Sequence, residues 1–460
     1  MTETKSSNGT PTVTYGVFAQ MLYHILAFME GYDLQVISVC LRAFEMSLKL
    51  SPSSLSTMVT METMTLLGGA VFWGFLADKC QNQYVLAAGA LLTGVTNILL
   101  GIASHFKVIL VLRFFHGFGL ACGSPVQQKI ISTSVCKDNH SAKFGIINAM
   151  MCLGRLLSAV LTTFSAGQLL IGYHGWRTCY VVFGYIWVLM GVAVLFGMVA
   201  GNNGGGNGST STNGSANQCL WEALKKPTTI VLIFLVFISD APFSAFTYMI
   251  MYLQYLGVSD LMAGVAVAMT LVGGAVGSAA GGKLISLVSA HNHGLLGSGI
   301  VCVIIRLIAC LCFFLGSQPR GFLRWQHYLE LAVMGASLVT IGSVDRTIMT
   351  NTVEDEIQAL AWATTRCIAG VSSSLFFYPL AGYLSEKIFG YTTSTQSFAE
   401  MSDVVKNTNA EALRKTMMYI MVVGTIVNAI LYGLCMITYE NNKNGGAAGG
   451  SSSSSSSCSK

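Results

Sequence analysis

The stretch F-M-E-G-Y-D-L-Q-V-I-S sets two carboxylates, Glu30 and Asp33, three residues apart in an apolar run. On a helix that spacing puts both on one face. Two acids held together away from water cannot both ionise cheaply, so such a pair can load and release a proton. Arg113 shares a helical face with His116, Ser124 and Gln127. A guanidinium there either takes part in binding and proton movement or forms a structural ion pair. Asp240, Ser244, Thr247, Met251 and Gln254 follow one another at spacings of 4, 3, 4 and 3, a polar stripe on an otherwise apolar helix. Such a stripe is unfavourable against lipid and should line a water-filled cavity, which Glu330 could complete.

Each of these residues also has a plain structural reading. Asp33 could sit hydrated at a helix end or pair with Arg42, and His116 reads as a packed, hydrogen-bonded histidine. Glu62, Arg155, Arg306 and Arg366 read as inter-helix pairs. Asp345 and Arg346 with Glu354, Asp355 and Glu356 read as a solvated loop cluster. Gly277 to Lys283 matches G-x-x-x-x-G-K, but Leu284 stands where a phosphate loop needs Ser or Thr, so no nucleotide site is expected. The 13 cysteines form no C-x-x-C pair and read as small buried residues. The eight histidines are dispersed, and His291-Asn-His293 has no further ligands nearby. No metal, cofactor or nucleic acid is expected, and no concentrated catalytic set marks an enzyme.

The elements that must hold these groups are membrane helices. Hydrophobic residues make up 53 % of the 460-residue chain and charged residues 10 %, against about a quarter in soluble domains. Mean hydropathy is +0.62. Twelve apolar stretches are long enough to span a bilayer: 15–41, 54–77, 84–104, 108–131, 144–171 and 176–200, then 228–257, 260–282, 294–316, 327–349, 358–385 and 415–439. The expected fold is an all-α membrane protein with twelve transmembrane helices in two pseudo-symmetric six-helix halves. Its parts are an N-terminus over 1–14, a first half over 15–200, a flexible linker over 201–227, a second half over 228–440 and a disordered tail over 441–460. An even number of spans leaves both termini on one side, and the Lys/Arg bias of the loops favours the cytoplasm. The sequons at Asn8, Asn139, Asn207 and Asn213 would then be unused.

M-T-L-L-G-G-A-V at 64–71 returns as M-T-L-V-G-G-A-V at 269–276, 205 residues later, in the second span of each half. Parallel repeats of this kind build the two halves of a transporter. After the first copy, Gly74-Phe-Leu-Ala-Asp78-Lys79 resembles the opening of the loop motif between spans two and three of the major facilitator superfamily. There Gly74 would allow close helix approach and Asp78 would face a neighbouring helix N-terminus. Cys80 to Gln83 depart from the basic residues that complete that motif. Arg113-Phe-Phe-His-Gly117-Phe-Gly119 resembles the R-x-x-x-G-x-G of span four, and Gly175-Trp176-Arg177 the G-W-R that opens span six. Gly31-Tyr32-Asp33 is similar to the span-one motif of proton-coupled facilitators for aromatic acids and related organic anions.

The resemblance implies a multi-pass, monomeric secondary transporter, with a solute site between halves that rock, lined by spans one, four, seven and ten. It implies that Arg113 couples proton movement or pairs with an acid such as Asp33. A small organic anion carried with a proton is the first expectation. A lipid-like substrate or an exported drug is the alternative within that class, and a non-transporting sensor or scaffold the alternative outside it.

Overall fold

The computed structural model describes residues 13–134, 140–170, 172–198, 200–202, 221–288, 294–353 and 358–450. Eleven helices among them are long and apolar enough to cross a membrane, and a bent pair makes a twelfth span. Spans one to six are Val17–Val39 with Leu41–Leu48, Pro52–Lys79, Asn82–Ile102, Phe106–Ile131, Lys143–Ala166 and Gly175–Gly197. Spans seven to twelve are Pro227–Tyr255, Asp260–Ala279, Gly294–Leu315, Trp325–Met349, Leu360–Ile388 and Asp403–Thr438. Local chemistry sets several ends. Ser51 accepts a hydrogen bond from the Ser54 N–H ahead of Pro52, an N-cap with proline in the first turn.

Two spans are broken. Span one bends by 53° at Cys40. Span seven is divided into Pro227–Ser239, Ala241–Phe246 and Met249–Tyr255. Pro242 has no N–H to give the first break, so bending there agrees with the sequence. Gly257 does not bend the span. Its φ of 80° is left-handed and ends the helix in the turn toward span eight.

Contacts within the first half pair spans 1 with 5, 2 with 4, 3 with 4 and 3 with 6. The second half repeats the scheme: 7 with 11, 8 with 10, 9 with 10 and 9 with 12. Spans 2 and 11, and spans 5 and 8, join the halves. A two-stranded sheet pairs Val13–Tyr15 with Ala200–Asn202 and ties the start of span one to the exit of span six. The linker core and residues 451–460 lie outside the described residues, as do the four sequons, His291, His293 and Glu354 to Glu356. Span twelve starts at Asp403, and its helix runs to Gly450, past the 440 boundary expected for the second half.

The octapeptides are where spans 2 and 8 meet spans 4 and 10. A methyl group on Gly117 would overlap Thr65 and the Glu62 carbonyl, and one on Gly335 would overlap the Thr270 carbonyl. Thr65 and Thr270 are the same letter of the two copies. Gly273 and Gly277 sit equally tightly on the backbone of Ala332 and Ala336. Small residues let backbones approach where lipid offers no hydrophobic drive for association. Gly74 is not such a site. An added Cβ there would stand 3.7 Å from Pro125, an ordinary contact, so the expected need for glycine is corrected.

Gly117→Ala and Gly335→Ala should therefore each destabilise the folded protein by about 1–3 kcal/mol. Gly74→Ala should leave it unchanged. Thermal unfolding of the detergent-solubilised variants checks the contrast.

Candidate functional site

Span 4 presses into span 2 at Gly117, and this contact brings Arg113 and Glu62 together. Arg113 donates to Glu62 Oε2 at 2.7 Å and to the Tyr180 hydroxyl at 2.5 Å. Its guanidinium lies 4.9 Å from the Tyr180 ring centre and 5.8 Å from that of Phe44. The expected pairing of Arg113 with Asp33 is thus corrected: its acid is Glu62, for which an inter-helix pair was the reading. Asp33 sits one position further off. It accepts from Asn97 of span 3 at 2.9 Å and faces His116 Nε2 at 3.6 Å. His116 Nδ1 faces Glu62 Oε1 at 3.5 Å. All of these charged groups are buried.

Glu30, one turn before Asp33, belongs to a different set. Gly31 and Gly154 press spans 1 and 5 backbone to backbone, which sets Glu30 within electrostatic reach of Arg155. Gln127 donates to Glu30 Oε2 at 3.4 Å. The Arg155 Nε has no partner among the described residues. Spans 7 and 11 give the second half its counterpart. Asp240, at the break in span 7, accepts from Arg366 at 3.0 Å and from Ser373 at 2.9 Å. These two charged side chains are 17 % and 37 % exposed although Asp240 lies mid-span and Arg366 inside span 11. Arg366 therefore forms the inter-helix pair expected of it, but on a partly open surface. Tyr378 lies against Thr63 of span 2 and Thr247 of span 7, between the two sets.

Several expected site residues lie elsewhere. Gln254 does not face a cavity: it is buried and donates to Asp260 Oδ1 at 2.7 Å, closing the turn between spans 7 and 8. Ser244 and Met251 are buried as well, so the two breaks in span 7 dissolve the stripe and leave Asp240 and Thr247 as its members that are not buried. Glu330 is partly buried near the start of span 10, and none of the charges above is its partner. Asp345 is not in a solvated loop. It is buried, accepts from Tyr432 at 2.5 Å and lies within electrostatic reach of Arg306. Arg306 donates to Thr425 of span 12 at 3.0 Å. Asp78 is exposed and forms no hydrogen bond or ion pair among the described residues, so the expected contact with a helix N-terminus is corrected. Lys79 lies 4.1 Å from the Phe75 ring centre, and Lys129 instead donates to the Ala77 carbonyl at the end of span 2.

One buried cluster escaped the sequence reading. On the side away from the termini, Arg42 and Glu45 on the last turns of span one pair at 2.5 Å. Arg42 also donates to the Tyr255 hydroxyl at 2.9 Å and to the Ser394 and Gln396 carbonyls. Glu45 accepts from the Tyr391 hydroxyl at 2.8 Å and from the Ser394 N–H at 3.1 Å. Nearby, Tyr248 donates to the Pro52 carbonyl and the Ser53 N–H to Glu386. The cluster bridges the two halves on that side. The i, i+3 spacing of Arg42 and Glu45 was its only trace in the sequence, because every partner comes from the other half.

The profile of the Major Facilitator Superfamily matches residues 23–376. The 4-hydroxybenzoate transporter PcaK of Pseudomonas aeruginosa is 23 % identical over 189 residues, 41 % of this chain and 41 % of that protein. The aligned stretch thus spans under half the length of this curated relative. Among solved structures, a bacterial homologue of the human lysosomal transporter Spinster, inward-facing and unoccupied, superposes with a TM-score of 0.77 at 18 % identity, covering 92 % of this chain and 98 % of the other. A D-xylose-proton symporter gives a TM-score of 0.63 at 12 % identity, covering 90 % and 97 %.

Removing one member of a buried ion pair strands the other, at a cost of about 3–5 kcal/mol. Glu62→Met and Arg113→Met should each lower the unfolding temperature sharply, and the double variant should recover part of the loss. In the Arg42–Glu45 cluster, Glu45→Gln should raise labelling of buried Cys40 by a membrane-impermeant maleimide, read by mass spectrometry in a background without other cysteines.

Proposed function

The chain belongs to the major facilitator superfamily, and on that premise we propose that it is a secondary transporter carrying a small organic anion with a proton by alternating access. The observation that carries this reading is the Asp240–Arg366 ion pair, inside spans 7 and 11 and partly exposed. Charges at that depth are costly against lipid and belong to a water-filled space. Arg155 comes to the same level from the first half, with a free Nε and Glu30 beside it. The site therefore receives one carboxylate–guanidinium set from each half, through equivalent helix pairs. Two guanidinium groups suit a carboxylate solute. The arrangement shut by Arg42 and Glu45 on one side leaves access from the side of the termini, which the loop charges place in the cytoplasm.

A small aromatic acid is the substrate class supported by the relative named for 4-hydroxybenzoate. A proton as the coupling ion is supported by Glu30 and Asp33 within the protein and by the neighbour named as a proton symporter. The transporter works as a monomer in this reading, since one chain supplies both halves of the site. No cofactor has a role in the cycle: binding energy and the ion gradient drive it.

Purified protein in liposomes should take up radiolabelled 4-hydroxybenzoate, used as the probe, faster when the outside is acidified. Asp240→Asn and Arg366→Gln should each lower that uptake by about tenfold or more, the loss of one charge-assisted hydrogen bond. Uptake indifferent to the pH gradient would sink the coupling. Wild-type rates in both variants would remove the site.

A further inference from the structure

His116 is fully buried with a carboxylate oxygen on each side of its ring, one from span 1 and one from span 2. A neutral imidazole has one N–H and one lone pair, so it would aim a lone pair at either Asp33 or Glu62. Only the imidazolium presents an N–H to both.

The charge balance of the surroundings points the same way. The titratable and charged groups that face this position are Asp33 from span 1, Glu62 from span 2, Arg113 from its own helix, Tyr180 from span 6 and Cys40 at the bend of span 1. Asn97 from span 3 is uncharged. With both acids ionised and Arg113 charged, the set holds one excess negative charge in a dry interior, where unbalanced charge costs several kcal/mol. One more proton brings it to neutrality.

The equivalent position of the second half carries no such group. Gly335 takes the role of Gly117 and stands 218 residues after it, so the places of Arg113 and His116 are taken by Leu331 and Met334. Both are buried and apolar. The charge cluster is an addition to the first half and not a requirement of the fold.

We propose that His116 holds the coupled proton, as an imidazolium that bridges Asp33 and Glu62 and thereby latches span 1 to spans 2 and 4. This rests on the proton-coupled reading above. Span 1 runs on through Cys40 into the helix that carries Arg42 and Glu45. When water reaches the cluster, the proton leaves a ring nitrogen for the solvent, one N–H contact to a carboxylate is lost, and the gate-bearing end of span 1 is released. Reprotonation restores the bridge. No covalent bond forms, and the proton ends in the compartment to which the cluster has opened. His116 handles the proton and does not touch the solute.

Two measurements test this. In protein with ¹⁵N-labelled histidine rings in nanodiscs, one of the eight histidines should remain imidazolium at pH 8 while exposed rings are neutral. If every ring is neutral there, the proposal is overturned. In liposomes, a gradient of one pH unit lets one proton per solute hold up to about a tenfold accumulation. His116→Gln should abolish accumulation of 4-hydroxybenzoate yet keep exchange of internal for external probe. Accumulation that persists in His116→Gln overturns the proposal. If the variant loses exchange as well, the ring signals of the wild-type protein decide. A wild-type protein that exchanges the probe but ignores the gradient fails the broader coupling reading, a distinct result.

Discussion

A charge inside the membrane must find its partner within the protein, and the Arg113–Glu62 pair shows what that demands. Two ions leave water only if their geometry is close and their remaining lone pairs and N–H groups are met. Here Tyr180 accepts a second Arg113 N–H and His116 lies beside Glu62, with Asp33 and Asn97 beyond it, so the cluster draws on spans 1, 2, 3, 4 and 6, although the Arg113 Nε has no partner among the described residues. Five helices of one half are thus bound to a single electrostatic cluster. The half has reason to move as one body, because shifting any of the five helices alone would expose or strand a charge.

The same constraint, applied at the junction of the halves, gives a different outcome. Between the halves the charges are split among sets that need not stay together. Arg42 and Glu45 meet Tyr255, Tyr391 and Ser394 through hydrogen bonds that water could replace. Asp240 and Arg366 stay paired within the second half while remaining partly exposed. Rigid interiors and exchangeable junctions are what a rocking mechanism needs. The glycine contacts on Thr65 and Thr270 explain why the two halves share a skeleton, since each brings the second helix of its half against the fourth.

Much of this skeleton can be read from the sequence. Length and hydropathy locate the spans, and the repeated octapeptide marks equivalent helices because backbone contact there leaves room only for small residues. The site is less legible, for a definite reason. Spacing along one helix tells which residues share a face but not which helix that face meets. Arg113 could be singled out, yet Glu62 and not Asp33 proved to be its acid, because the tight contact at Gly117 favours span 2. Gln254 fitted a stripe by period, but the helix breaks after Ser239 and Phe246 turned it toward Asp260. Asp345 stood among other acids near a span end, and only its position between Tyr432 and Ser239 shows that it is interior. The Arg42–Glu45 cluster was hidden since its partners lie 210 to 352 residues further along the chain.

The central claim is that the two halves rock about the site, closing one side as the other opens. Spin labels at exposed positions follow this directly: Lys107 with Phe322 across the side away from the termini, and Gln81 with Glu222 across the other. Double electron–electron resonance should give a narrow, short distance for the first pair in the resting protein. Glu45→Gln, or an acidic medium with 4-hydroxybenzoate, should lengthen the first distance and shorten the second together. Distances that stay fixed, or that both lengthen, would contradict the account.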